Sequence, residues 1–97
     1  MTLRSLLACI FLALAALVPH AALAESKTVV LSVPDMFSPA CPVLARKALQ
    51  RVAGVQDVQA SLERKEAVVV FDSTKTSPDA LVQTTRHAGF PNARVRD

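Results

Sequence analysis

The five residues Ala67-Val68-Val69-Val70-Phe71 constrain this chain more than any others. They are apolar without a break and lie between two acids, Glu66 and Asp72. Successive side chains of a strand point to opposite faces, so a run that is apolar on both faces belongs inside a sheet. Glu66 to Asp72 is therefore read as a central strand. A central strand needs neighbours, and the sequence offers three. Val55 to Glu63 alternates Val58, Ala60 and Leu62 with Gln59 and Ser61, and reaches the central strand through a polar hairpin turn at Arg64 and Lys65. Lys27 to Pro34 carries Thr28, Val29, Val30, Leu31 and Val33 and is ended by Pro34. Phe90 to Arg96 makes a short last strand.

Two helices separate these strands. The first is expected over Pro42 to Val52, with Pro42 at the first helical position, where a missing N–H costs nothing. Ala45, Ala48, Leu49 and Val52 form its inner stripe, and Gly54 stops it. Arg46, Lys47, Gln50 and Arg51 fall on the other side as a solvated face. The second opens at Ser77-Pro78-Asp79, which supplies a cap, a proline and an early acid. Leu81, Val82, Thr85 and Ala88 line it inwards and Gly89 ends it. The order is βαββαβ, the ferredoxin-like α+β pattern: one four-stranded antiparallel sheet with both helices on one face. Right-handed crossovers give the spatial order 4-1-3-2. That arrangement brings Met36, Ser38 and Cys41 close to Gly89-Phe90-Pro91.

The N-terminal part follows other rules. Met1 to Ser5 holds one positive charge, Leu6 to Val18 is an apolar run of 13 residues, and Ala22-Leu23-Ala24 offers a cleavage site. This is the pattern of a secretory signal peptide, residues 1–24, and the run is shorter than the 18 or more residues expected of a spanning helix. The alternative is a retained anchor. The mature domain would be residues 25–97 in the periplasm, a single small domain of 73 residues. Loss of Arg4 leaves ten basic against eight acidic residues, a charge of +2. With Phe37, Phe71 and Phe90 as the only aromatics of the mature chain and no basic stripe, nucleic acid is not an expected partner. No Cys–His pair, carboxylate pair or glycine-rich loop stands near Cys41, so an enzyme is not expected either.

Cysteine use is informative. Cys9 leaves with the signal, and Cys41 is alone in the mature chain. An internal disulfide is impossible, and an odd thiol in an oxidising compartment suggests a metal, a partner or a reactive role. The plain alternative is a small buried hydrophobe. At the start of a helix the thiolate is favoured, and the thiolate is the form that binds soft metals.

The stretches Val30 to Pro34, Ala40-Cys41-Pro42, Lys47-Ala48-Leu49, Val52 to Val55, Glu63 to Asp72 and Ala88 to Pro91 resemble the heavy-metal-associated domain family. The nearest likeness within it is to the periplasmic mercury-binding proteins of mercury-resistance operons. The resemblance implies a soft-metal carrier, for Hg(II) or alternatively Cu(I), that hands its ion to a membrane transporter by thiol exchange. The family motif reads Gly-Met-Thr-Cys-x-x-Cys. Here Met36 and Cys41 match, whereas Ser38 stands for the first cysteine, Asp35 for the glycine and Phe37 for the threonine. Candidate ligands are then Cys41, Ser38 and Met36, with Phe90 packing beneath the loop. Each has a second reading. Met36 fits a core residue better than a thioether ligand, and Ser38 a turn or cap residue better than a ligand. Asp35, if close, would raise the Cys41 pKa, and Pro39 removes an N–H that could serve the thiolate. His87 reads as a solvent-facing residue at a helix end. Phe37 is either a docking feature or folded under the loop. The functional alternative is a docking module, or a Cys41-linked dimer, without stable metal capture.

Overall fold

The computed structural model of the chain describes residues 25–96. The signal-peptide reading therefore lies outside the described residues. The elements run β1 (Ser26–Ser32), α1 (Ala40–Gln50), β2 (Val55–Ser61), β3 (Glu66–Asp72), α2 (Pro78–His87) and β4 (Arg94–Val95). They form one four-stranded sheet of order β2-β3-β1-β4, antiparallel throughout. This is the ferredoxin-like arrangement expected from the sequence, with the expected strand order.

β3 is central because both its faces need cover. Ala67, Val69 and Phe71 are buried under the helices, while Val68 and Val70 are half-buried on the open face between β1 and β2. The inner face meets Leu31 from β1, Ala45 and Leu49 from α1, and Leu81 and Val82 from α2 in one cluster. Burying each of the larger side chains is worth about 1.5–3 kcal/mol, which is how so small a domain holds together without a disulfide. Thr85, fully buried on α2, returns its hydroxyl proton to the Leu81 carbonyl at 2.8 Å. Ala88, expected to face inwards, is exposed, because α2 ends at His87 and Ala88 is its cap. Ser77 caps that helix as expected, its Oγ accepting from the Ala80 N–H at 3.3 Å.

Several boundaries differ from expectation, and α1 ends at Gln50 and β2 at Ser61, each two residues short. β1 starts one residue earlier and stops at Ser32, although the Val33 N–H still bonds the Lys65 carbonyl at 2.7 Å. α1 begins at Ala40 with Pro39 as its cap, so Pro42 lies third in the helix, not first. The first-turn N–H groups have no helical partner, and proline is harmless at any of these positions. β4 is confined to Arg94–Val95. Pro91 has no N–H to pair, and Phe90 and Ala93 are both buried and linked by a turn bond of 3.1 Å.

Gly54 closes α1 into β2 at φ +96, a conformation that L side chains rarely adopt. A Cβ there would lie 2.7 Å from Lys75 Cβ, whereas at Gly89 (φ +114) it would meet nothing within 4 Å. Gly54→Ala should therefore lower unfolding free energy by about 1–3 kcal/mol, combining backbone strain with a collision. Gly89→Ala should cost clearly less. Urea denaturation of the two variants checks this, and equal midpoints would contradict it.

Candidate metal centre

Three loops meet at one end of the sheet. β1 and β2 both end there, β3 starts there, and α2 runs back to it before β4. The β1–α1 loop, the β2–β3 hairpin and the α2–β4 loop are therefore neighbours, as the contacts between them show.

Met36 anchors the first loop. Its side chain is fully buried in the core, so the thioether faces inwards alongside Leu31, Val33 and Phe90 in the same cluster. The four residues that follow, Phe37 to Ala40, are exposed. Cys41 then returns, half-buried against the core, as the second residue of α1. Its N–H donates to the Ser38 carbonyl at 3.0 Å, closing the turn into the helix. Ser38 does not cap α1. Its Oγ instead lies 3.4 Å from Cys41 Sγ, so the serine and the surviving sulfur point at each other across the i, i+3 interval.

The Ser38 hydroxyl holds the Cys41 pKa below its ordinary value, helped by the backbone N–H groups of Phe37 and Ser38 and by the positive charge of Lys65. Burial acts in the other direction, by more than the Lys65 charge does, and does not cancel the hydrogen bonds. The loss of one N–H at Pro39 is thus offset by the two N–H groups before it. Asp35 does not act on the thiol as its charge suggested it could. Its carboxylate accepts from Asn92 N and Nδ2, both at 2.9 Å, and these bonds hold its own pKa down. The negative charge is spent tying the first loop to the third.

Phe90 is buried in the core cluster that Cys41 packs against. Phe37 is 79% exposed, with the Lys65 ammonium 4.6 Å from its ring centroid. Lys65 also donates to the Met36 carbonyl at 2.5 Å. His87 is exposed at the end of α2. Among the described residues, no group of three or more His, Cys, Asp or Glu side chains could hold a metal. What the arrangement offers chemically is one accessible soft donor, a sulfur with its thiolate form favoured. Among the described residues no second thiol stands beside it to complete a linear two-donor ion.

A profile of the heavy-metal-associated domain matches residues 30–91. The chain belongs to the heavy-metal-associated domain family. The mercuric transport protein periplasmic component of Shigella flexneri is 46% identical over 70 residues, 72% of this chain and 77% of that protein. The crystal structure of oxidized MerP from Ralstonia metallidurans CH34 superposes with a TM-score of 0.72 at 42% identity, covering 75% of this chain and all of that one. The mercury-bound form of MerP, the periplasmic protein of the bacterial mercury detoxification system, gives 0.66 at 44% identity over 75% of this chain and all of that one. Among heavy-metal-associated domains, this one is MerP-like.

Two participants escaped the sequence reading. Asn92 is unremarkable until the fold sets it opposite Asp35. Lys65 is one basic residue of a polar hairpin until the topology turns that hairpin towards the first loop. Its one local signal is a left-handed backbone, φ 51, at a residue that is neither Gly nor Asn.

The sign of the thiol shift gives a test. A depressed pKa means the folded chain holds the Cys41 proton less tightly than the unfolded chain does. The resulting contribution to stability is present above the unfolded thiol pKa and is lost as pH falls through the folded one. Ser38→Ala should raise the Cys41 pKa towards that of a free thiol. Alkylation rate followed against pH reports it, and a midpoint that stays in place would show that Ser38 is not the main cause.

Proposed function

We propose that this protein is a periplasmic carrier of a soft metal ion, Hg(II) in the first instance, captured by Cys41 and passed to a membrane transporter by thiol exchange. The observation that carries the reading is the half-buried Cys41 sulfur in the first turn of α1, its thiolate favoured by Ser38 and two backbone N–H groups. It stands on a fold shared with a mercury-bound protein. Hg(II) and Cu(I) both prefer sulfur donors to oxygen. The names of the MerP relatives favour mercury and place them in the periplasm, and residues 1–24 read as the export signal to match. The protein acts by binding and transfer, not by catalysis.

Cys41 is the ligand in this reading. Ser38 contributes a hydroxyl that tunes the sulfur, and a hard oxygen adds little to a soft ion. Met36 would have to leave the core to bind, whereas Phe90 supports the loop from beneath. The second donor comes from a small thiol, a halide or the receiving protein.

One observation favours the alternative, a docking module or a Cys41-linked dimer. Phe37, Val43 and Leu44 are 79%, 51% and 55% exposed on the segment that carries the thiol. Native mass spectrometry of residues 25–97 with sub-stoichiometric Hg(II), challenged by a small thiol, separates the readings. One Hg(II) per chain should survive the challenge and be lost in Cys41→Ser. An ion bridging two chains would make the dimer the functional unit. No retained ion would leave a domain that keeps the fold without the capture.

A further inference from the structure

Lys65 lies 24 positions from Cys41 in the sequence, yet it is tied to the Cys41 loop at three points. Its carbonyl accepts from the Val33 N–H at 2.7 Å, its ammonium donates to the Met36 carbonyl at 2.5 Å, and the same ammonium lies 4.6 Å from the Phe37 ring centroid. The residue is half-buried and keeps a left-handed backbone, φ 51. A solvated lysine on a hairpin tip would stay mobile and would leave that strained backbone to Gly or Asn. Neighbouring charges are committed elsewhere. Asp35 is held by Asn92, and among the described residues the ion pairs are Arg64–Glu66 and Arg96–Glu66, neither of which takes Lys65. The Met36 carbonyl occupies only one of the three ammonium N–H donors.

Resting on the carrier reading of Cys41, we propose that Lys65 is the positioning residue of this site and makes it prefer anionic donors. It pins Met36 and Phe37 so that the turn through Ser38 stays folded against the sulfur. Its charge then favours a negatively charged group at the open side of Cys41. An incoming two-coordinate ion gives up one of its donors as the Cys41 Sγ–metal bond forms. The thiol proton leaves with that donor, no electron is transferred, and the donor that remains on the metal is the anionic one. The ligand class this selects is a small thiol bearing a carboxylate or sulfonate.

The test compares alkylation of metal-free protein by iodoacetate and by iodoacetamide. Both form the same S–C bond at the thiolate and release iodide, so the ratio of rates cancels thiol pKa and nucleophilicity and keeps only the response to the reagent's charge. Lys65→Asn suits the left-handed backbone and should fold, as circular dichroism would verify. It should lower the iodoacetate-to-iodoacetamide ratio by about two- to five-fold at low salt. Lys65→Arg should restore the ratio and Lys65→Glu should lower it further. An unchanged ratio in Lys65→Asn overturns the proposal. In parallel, Hg(II)-loaded protein is offered mercaptoethanesulfonate and cysteamine in equal amounts. Native spectra should show the anionic adduct in excess for the wild-type protein and near parity for Lys65→Asn, and parity in the wild-type protein counts against the proposal. If wild-type protein keeps no Hg(II), the carrier reading fails, and the alkylation ratio alone decides the role of Lys65.

Discussion

With β1 and β3 paired antiparallel from Ser26↔Asp72 to Ser32↔Glu66, the end of β1 must lie beside the start of β3. Everything at the thiol end of the molecule depends on that register. The strand that leads into the Cys41 loop is set against the strand that leaves the Arg64–Lys65 turn, and the Val33–Lys65 backbone bond extends the ladder by one step into the loop itself. A slip of one residue would turn Leu31 and Val33 out of the core and move Lys65 away from Met36. The hydrophobic pattern therefore fixes the electrostatics: the apolar face of β3 determines which charge stands against the Met36–Phe37 turn.

The loop is held by three different kinds of interaction. Met36 secures it through burial, Asp35 through two hydrogen bonds to Asn92, and Lys65 through a carbonyl bond and an aromatic ring. Burial is insensitive to salt, whereas the contacts of Asp35 and Lys65 involve charges near solvent. The exposed residues between these anchors, Phe37 to Ala40, are left to follow them. Such an arrangement keeps the backbone N–H groups of Phe37 and Ser38 close to Cys41 without a second cysteine to pull the turn into shape.

Much of this was legible in the sequence, and the limits have physical causes. The run Ala67 to Phe71 announces a central strand because no other position in a sheet tolerates apolar side chains on both faces. Ser77-Pro78-Asp79 announces a helix start because all three residues act locally. α1 begins two residues before Pro42, because proline is equally harmless at several first-turn positions and so marks the turn without numbering it. β4 is shorter than its apolar pattern suggests, because Phe90 and Ala93 are apolar through burial in a turn and not through strand pairing. The place of Cys41 at the start of α1 and the burial of Met36 could be read directly. The partners of Asp35 could not, since a carboxylate's charge is local but the donor that neutralises it lies 57 positions away. Lys65 was hidden for the same reason, its contact with Met36 spanning 29 positions.

In the carrier reading proposed above, Ser38 in place of the first motif cysteine changes what kind of carrier the fold makes. Two thiolates on one chain close a soft ion off, and release then requires an incoming thiol to displace a chelate whose second arm can rebind. One thiolate leaves half of a linear ion's coordination open. The chain has only one bond to surrender, and an incoming cysteine can occupy the open side before that bond breaks. In that reading retention is weaker and transfer needs fewer steps. The serine is not inert in this exchange, because its hydroxyl bonds the sulfur in the free protein and must give up that contact as the metal arrives. In that reading Ser38 acts at the sulfur whichever donor completes the metal, because the more strongly its hydroxyl stabilises the empty thiolate, the less is gained when a metal takes its place.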